Sequence, residues 1–373
     1  VKYVILGYGK IGRAIVNDFL TFTKNTPIEV YDPIARMPPS NDRVQYIRSD
    51  PMSEENRKNV FSVDNVIVSA LPANLRGKLM RLAIQTHSRL VDVTFGNDDV
   101  FSYSPGGESE EFLIIPDCGL APGISNLLVG ALGGKFDELE DVRIYVGGIP
   151  DNPIPPLEYK ITFSADSVID EYVNPARIIE NGKTVVKEAL SSVEQFQWKS
   201  PELDLEAFLT DGLRTLLTYR KRPRNMFEKT VRYRGHAEKV RLLRDLGLFN
   251  SEKIAIGNIT LSPRAFTERI LDTKLRYSNV GDLVLLKVEL TGKTGEDMNS
   301  REATLFFRSS AGSEFSAMAI TTGSTAAITA QLVGDGIIRE TGVVPMEQLG
   351  SHGELFKAFI ERFKARGLNI NLG

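Results

Sequence analysis

Val1-Lys2-Tyr3-Val4-Ile5-Leu6-Gly7-Tyr8-Gly9-Lys10-Ile11-Gly12 opens the chain and decides its reading. Val1 to Leu6 is short, apolar and rich in β-branched residues, the composition of a strand buried on both faces. The glycines follow it as G-x-G-x-x-G, and Arg13 to Phe22 then places apolar residues at helical spacing. In such a turn Gly7 permits the tight exit from the strand, Gly9 lets backbone approach a diphosphate, and Gly12 lets the helix pack close to the strand. The helix start around Lys10 and Ile11 offers unpaired N–H groups and a partial positive charge to an anion. A second strand, Ile28 to Tyr31, ends at Asp32, twenty positions after Gly12. A carboxylate there can accept hydrogen bonds from both ribose hydroxyls of NAD and would repel the extra phosphate of NADP. The pattern therefore predicts NAD. Arg36, four residues on, leaves NADP as the less favoured alternative.

Working outward, strands and helices keep alternating to about residue 120. Strand-like runs fall at Val44 to Ile47, Val63 to Leu71, Arg89 to Val93 and Phe112 to Ile115, with a helical pattern over Leu75 to Thr86. This alternation predicts an α/β fold, a doubly wound parallel Rossmann sheet with helices on both faces. Ligands of such a sheet lie beyond the carboxyl ends of its strands. Ser69-Ala70-Leu71-Pro72 and Asp92-Val93-Thr94 end two strands and are expected to line the nicotinamide half of the site.

The pattern changes after Gly123. Strand-like alternation at Val142 to Val146, Glu158 to Phe163, Thr230 to Arg234, Asp282 to Leu290 and Ala303 to Phe307 predicts a second α+β domain on a mixed or antiparallel sheet. Gly292 to Ser300 reads as a polar hairpin loop. The expected division is a dinucleotide domain over 1–123 and a substrate and dimerisation domain over 124–323. Helical segments within about 324–373 are expected to return to the first domain.

Composition narrows the function. Lys plus Arg is 45 and Asp plus Glu 48, a net charge of −3, which speaks against nucleic acid as the partner. No apolar run approaches the ~20 residues of a membrane span, and the opening residues read as part of the fold, not as a signal peptide. The single cysteine, Cys118, excludes an internal disulfide and fits a cytoplasmic setting. Three scattered histidines offer no metal-ligand spacing, so no metal is expected. The expected partners are a small-molecule amino-acid substrate and a second copy of the chain, joined through the second domain's sheet.

Candidate chemistry gathers at a few polar positions. Asp117 lies in the turn Pro116 to Gly123, where backbone can come close to a ligand, and can take a proton from an amine. In Val231-Arg232-Tyr233-Arg234-Gly235-His236, Arg234 can clamp a carboxylate and His236 can bind the same group or move protons. Glu158 can hold an ammonium, Tyr159 can wall a pocket, and Thr210 lies in a turn with free polar groups.

These strings, in this order, resemble the saccharopine dehydrogenase family. The likeness is carried by Gly7 to Gly12, Ser69 to Pro72, Pro116 to Gly123, Tyr145 to Pro150, Pro155 to Tyr159, Glu206 to Gly212 and Tyr233 to His236, and is greatest to its lysine 6-dehydrogenase branch. One departure matters: where saccharopine reductases carry Gly-Leu-Asp-Pro-Gly, this chain has Gly119-Leu120-Ala121-Pro122-Gly123. The resemblance implies NAD-linked oxidative deamination of the L-lysine ε-amine to 2-aminoadipate 6-semialdehyde. In that scheme Asp117 or His236 is the base and Arg234 holds the α-carboxylate. The alternatives are a saccharopine or carboxynorspermidine reductase using NADP, and a non-catalytic NAD-binding sensor.

Overall fold

The computed structural model describes residues 1–96, 98–104, 110–162, 164–277 and 279–373. In chain order the first elements are β1 (Lys2–Leu6), α1 (Lys10–Phe22), β2 (Ile28–Tyr31), β3 (Val44–Ile47), α2 (Glu54–Val60), β4 (Asn65–Ser69), α3 (Ala73–Gln85), β5 (Arg89–Asp92), β6 (Leu113–Ile115) and α4 (Ile124–Gly133). There follow β7 (Glu138–Pro150), α5 (Ala165–Val173), β8 (Ala176–Glu180), β9 (Lys183–Lys187), β10 (Glu194–Lys199), β11 (Glu202–Leu209), β12 (Asn225–Tyr233) and α6 (His236–Asp245). Next come β13 (Ile254–Ile256), β14 (Ile259–Leu261), α7 (Pro263–Lys274), β15 (Asp282–Thr294) and β16 (Asp297–Ser309). The chain closes with α8 (Ala317–Gly334), β17 (Gly342–Val343), α9 (Met346–Ser351), α10 (Gly353–Ala365) and β18 (Ile370–Leu372).

Two compact units emerge. The first comprises Val1–Lys135, Arg214–Leu216 and Ala319–Asn369; the second comprises Phe136–Leu213, Leu217–Met318 and Ile370–Gly373. The first unit is built on a seven-stranded sheet in the order β17-β6-β5-β4-β1-β2-β3. Every pairing in it is parallel. This is the doubly wound Rossmann arrangement expected from the alternation, and its order reverses between β1 and β4. β4 is buried at every position, and β1 at all but its first. Such strands need covering on both faces, and α1 supplies part of the cover by burying Ala14, Ile15, Val16 and Phe19.

The second unit holds a nine-stranded sheet whose main path is β10-β11-β12-β7-β15-β16-β18, with β8 attached to β12 and β9 to β8. β12 and β7 are parallel, while β15 pairs antiparallel with both β7 and β16, so the sheet is mixed. A helical layer of α5, α6 and α7 packs on a core that includes Tyr159, Ile161, Ile169, Tyr172, Phe208, Val240 and Leu271.

Two local readings need correction. Gly292 to Ser300 is not a loop: the β15–β16 register runs unbroken out to Thr294 opposite Asp297. Its polar composition reflects exposure of the β16 end, and the hairpin turn expected there is confined to Gly295 and Glu296. Glu158 to Lys160 is irregular chain, because Glu158 takes a left-handed φ of 53°, which no strand accommodates. Phe163, the end of that expected strand, lies outside the described residues. Among the described residues, no helix is long and apolar enough to cross a membrane.

Candidate functional site

In the first unit the glycine turn sits where the sheet order reverses. Gly7 has φ +93°, and a Cβ there would stand 2.7 Å from the Ala70 carbonyl oxygen. A Cβ on Gly12 would stand 1.9 Å from the Gly7 carbonyl oxygen. Both positions therefore need glycine, and Ser69-Ala70-Leu71-Pro72 is brought directly beside the turn. Gly9 differs: among the described residues nothing lies within 4 Å of where its Cβ would be. The turn is thus closed on the sheet side and open at Gly9. Gly9 caps α1, whose first turn holds Lys10 and Ile11 and no acidic residue. Helix dipole and side-chain charge both favour an anion at this end.

Asp32 lies at the end of the neighbouring strand β2. Its carboxylate accepts from the backbone N–H of Tyr8 at 2.8 Å, of Ile34 at 2.8 Å and of Ala35 at 2.7 Å. Burial pushes its pKa up, but these three donors outweigh that, and the net shift is downward. The carboxylate is fixed, ionised and partly exposed. An acceptor in that state suits a ribose diol, and the residues present fit a dinucleotide.

Asp92 and Thr94 are placed differently from expectation. Asp92 is wholly buried, and Thr94 donates from its hydroxyl to Asp92 at 2.7 Å. Both side chains serve a buried ionic network and not an open binding surface. At its centre is Arg76 of α3, which sequence reading missed because it sits inside an ordinary helical pattern. Its guanidinium donates to Asp92 at 3.0 Å, Asp98 at 3.3 Å and Asp117 at 2.7 Å. Burial works against the Arg76 charge, but Asp117, Asp92 and Asp98 together raise its pKa. The second Asp117 oxygen faces the Arg214 Nε at 3.4 Å. Arg214 also donates to the Asp98 carbonyl and lies over the Phe95 ring. Asp117 is thus held between two arginines. Cys118, next to it, is buried, and burial raises its pKa to about 12, so it is an inert thiol.

The second unit gathers the other candidates. β12 ends at Tyr233, so Arg234 falls in the turn beyond it. The side chain of Arg234 is 71% exposed, and its partner is Asp204 at 3.8 Å. Arg234 is no buried clamp. The arginine that is buried is Arg232, two residues back and still in the strand. It donates to Glu171 at 3.0 Å and lies 4.7 Å from the Tyr159 ring centre. Tyr159 does wall this cluster. Thr210 meets Thr230 at 2.9 Å, and Thr230 donates to Glu171 at 2.5 Å.

Gly235, with φ +88°, turns the chain into α6. The Glu206 carboxylate accepts from Gly235 N–H at 3.0 Å and Ala237 N–H at 2.6 Å, which satisfies donors at the helix start. This drives His236 inward, where Nδ1 meets the Leu157 carbonyl at 2.6 Å and Nε2 the Tyr172 hydroxyl at 2.8 Å. A carbonyl only accepts, so Nδ1 carries the proton and Nε2 accepts from Tyr172. Burial first, then the Arg232 charge, lower the His236 pKa to about 3. Both nitrogens are occupied and the ring is neutral, which removes His236 from the base role. Glu158 is also corrected: it already holds the ammonium of Lys239.

Glu228, on the same strand face as Thr230 and Arg232, has no distinguishing signal in the sequence. Burial, then the nearby charges of Glu171 and Asp211, raise its pKa to about 8. Within the described residues, four buried atoms of this region make no hydrogen bond: Glu228 Oε2, Arg232 Nε, Tyr159 Oη and Thr162 Oγ1. Buried polar atoms without partners are uncommon, and a group of them marks a place for water or a polar ligand.

Glu228 and His236 tilt stability with pH in opposite senses. From about pH 4.5 to 8 the folded chain keeps a proton on Glu228 that the unfolded chain releases, so this contribution falls as pH rises. His236 contributes stability above about pH 6.5 that is lost as pH falls toward 3. Glu228→Gln is therefore expected to gain stability relative to the parent at about pH 9 and to lose that advantage at about pH 5. Urea unfolding at both pH values measures it, and a difference independent of pH would contradict the assignment.

Residues 119–368 match the saccharopine dehydrogenase C-terminal domain family. The chain is 25% identical over 225 residues to alpha-aminoadipic semialdehyde synthase of Arabidopsis thaliana, covering 56% of this chain and 21% of that protein. It is 24% identical over 208 residues to saccharopine dehydrogenase [NADP(+), L-glutamate-forming] of Pyricularia oryzae, covering 51% of this chain and 44% of that protein. It thus spans less than half the length of either curated relative. In structure it is similar to apo saccharopine dehydrogenase (L-Glu forming) from Saccharomyces cerevisiae, with TM-score 0.76 and 18% identity over 100% of this chain and 99% of that one. With the family model spanning most of the chain, and the fold shared from end to end, the chain belongs to the saccharopine dehydrogenase family.

Proposed function

We propose that the chain is a pyridine-nucleotide oxidoreductase acting at an amine-bearing carbon of an amino acid, with NAD as the favoured cofactor and the L-lysine ε-amine as the favoured substrate. The observation that carries this is the glycine turn, open only at Gly9, with the ionised Asp32 beside it. Gly9, Lys10 and Ile11 would hold the diphosphate and Asp32 the adenosine ribose. The bound nicotinamide supplies the hydride acceptor.

The remaining work falls to side chains. A free lysine ε-amine has a pKa of about 10.4, so it must lose a proton before oxidation. Asp117, steadied by Arg76 and Arg214, is proposed to receive that amine. Within the second unit, Arg232 and not Arg234 is the buried, charged arginine with a free Nε, and it is proposed to hold an anionic group there. Loss of the family's carboxylate at Ala121 favours a substrate other than saccharopine. The second reading, saccharopine with NADP, rests on what the curated relatives are named for.

A panel of amino acids and amines with NAD and with NADP, read by absorbance of the reduced cofactor, tests this. The expected result is NAD reduction with L-lysine. Turnover of saccharopine with NADP would favour the second reading, and NAD binding with no turnover would favour a sensor. Within the panel, Asp117→Asn with kcat unchanged would remove Asp117 from the scheme.

A further inference from the structure

Glu347, in the first turn of α9, is 3% exposed, and among the described residues its carboxyl forms no ion pair. Two glycines let the chain close over it. A Cβ on Gly130 of α4 would stand 2.0 Å from the Glu347 carbonyl oxygen, and one on Gly350 of α9 would stand 2.0 Å from the Leu127 carbonyl oxygen. α4 and α9 therefore meet backbone against backbone. A carboxyl buried without a counter-charge needs hydrogen-bond donors. Two reach Glu347 Oε2: Asn126 Nδ2 at 3.2 Å and the Thr215 hydroxyl at 3.0 Å. Asn126 Nδ2 also donates to the Thr215 oxygen at 3.1 Å. Asn126 is fixed in turn, because its Oδ1 accepts from Gly123 N–H at 3.3 Å and from the Ser125 hydroxyl at 3.0 Å. The three side chains close a triangle within the first unit, drawn from α4, the segment after β11, and α9.

The triangle stands one residue from the ion pair at Asp117. Thr215 follows Arg214, whose Nε faces Asp117 at 3.4 Å. Arg214 and Asp117 each have a backbone φ of 53°, a left-handed conformation that residues with side chains rarely adopt. Such conformations persist only where the surroundings fix them. Arg76 fixes Asp117, and Thr215, tied to Glu347 and Asn126, anchors the backbone of Arg214. The adjacent residues also touch: Met346 Sδ lies 3.7 Å from the Cys118 sulfur. We infer that Glu347 is a positioning residue for Asp117, acting through the Thr215 hydroxyl to keep Arg214 against the Asp117 carboxylate. The inference deepens the reading of Asp117 as the group that receives the amine, and rests on it for its part in catalysis. Its charge matters as well. Burial, assisted by Asp117 and opposed by the hydrogen bonds to the carboxyl, raises the Glu347 pKa to about 7. Asp117 is the charge that acts on it, with Arg214 beyond Thr215; α4 carries no charged residue. Glu354 and Lys357 of α10 pair with each other at the surface, as do His352 and Glu340. An ionised Glu347 adds a negative charge beside Asp117 and strengthens it as a base and as a seat for an ammonium.

Carbon-13 NMR of the Asp117 carboxyl, in protein labelled at its aspartate side chains, tests the link from about pH 5 to 9 without any substrate. The signal is assigned by its loss in Asp117→Asn. In the parent it is expected to shift with a midpoint at about pH 7. Glu347→Gln keeps an acceptor for Thr215 and Asn126 but cannot ionise, so that step is expected to vanish while the signal otherwise holds its position. Glu347→Leu and Thr215→Val break the tie to Arg214, and each is expected to move the signal at every pH. Where the leucine variant fails to fold, the valine variant carries the test. With the amine that the substrate panel identifies, kcat/KM is expected to fall ~10-fold or more in Thr215→Val, and by less than ~2-fold in Glu347→Gln below about pH 7. An Asp117 signal that is the same in the parent, Glu347→Gln and Thr215→Val overturns the inference, as does an unchanged kcat/KM in Thr215→Val. A coupled Asp117 signal with no turnover of any amine would sink the amine-oxidising reading and leave the positioning of Asp117 standing.

Discussion

Arg76→Met is expected to destabilise the first unit by about 3–5 kcal/mol, the usual cost of removing one partner from a buried ionic cluster. Methionine fills much of the same volume but leaves Asp92 and Asp117 without their shortest guanidinium contacts, 3.0 and 2.7 Å in the parent. Arg214 still faces Asp117, but among the described residues no second arginine contacts Asp92. Asp92 already has a raised pKa, through burial and the neighbouring Asp117, held in check by Arg76. Without Arg76 the shift grows. A folded carboxyl with a raised pKa keeps a proton that the unfolded chain releases, so its penalty increases as pH rises above the ordinary carboxylate range. The variant is therefore expected to recover part of its loss as pH is lowered toward 5. Arg76→Lys is expected to fall between the two, because one ammonium cannot span three carboxylates. Urea unfolding from about pH 5 to 9 measures the effect. A loss below ~1 kcal/mol would mean that Arg76 is not the counter-charge holding this region.

Asp32→Ala is expected to weaken NAD binding about 100-fold, or ~2.7 kcal/mol, since each hydrogen bond to a charged acceptor is worth about 1.5–3 kcal/mol. It is also expected to shift preference toward NADP, because the charge that repels a 2′-phosphate is gone. Two effects combine in this substitution. Asp32 also fixes the backbone of Tyr8, Ile34 and Ala35. Asp32→Asn separates them, since an amide keeps an acceptor for the loop but removes the charge. It is expected to relax the NAD preference with a smaller loss of affinity than Asp32→Ala. Fluorescence titration of parent and variants with both nucleotides reads this. An unchanged NAD affinity in Asp32→Ala would show that the ribose is not held there.

How much of this was legible in the sequence differs between the two units. Fully buried parallel strands write themselves as apolar runs, and β1, β4 and β5 are visible in this way. Gly7 and Gly12 are equally legible, because backbone stands where their side chains would be. The second unit hides more. Its polar cluster is assembled from α5, β11, β12 and the segment before α5, and no spacing rule links Glu171 to Arg232 or Glu228 to Asp211. Choosing Arg234 over Arg232 turned on where one strand stops. Ending β12 at Tyr233 puts Arg232 inside and Arg234 in solvent. His236 was visible as a strand-end histidine, but its burial depends on the Glu206 carboxylate at the helix start, thirty residues away. Arg76 and Glu347 are similar cases. Glu347 is buried with Thr215 and Asn126 as partners, 132 and 221 residues distant in sequence, and burial raises its pKa to about 7. Partners so far apart leave no local trace.

A crystal structure of the chain grown with NAD is the most direct test of the whole account. The result expected is diphosphate oxygens accepting N–H bonds from the turn at Gly9 to Ile11, with both adenosine ribose hydroxyls donating to Asp32. Nucleotide bound elsewhere, or the turn empty at saturating NAD, would contradict it.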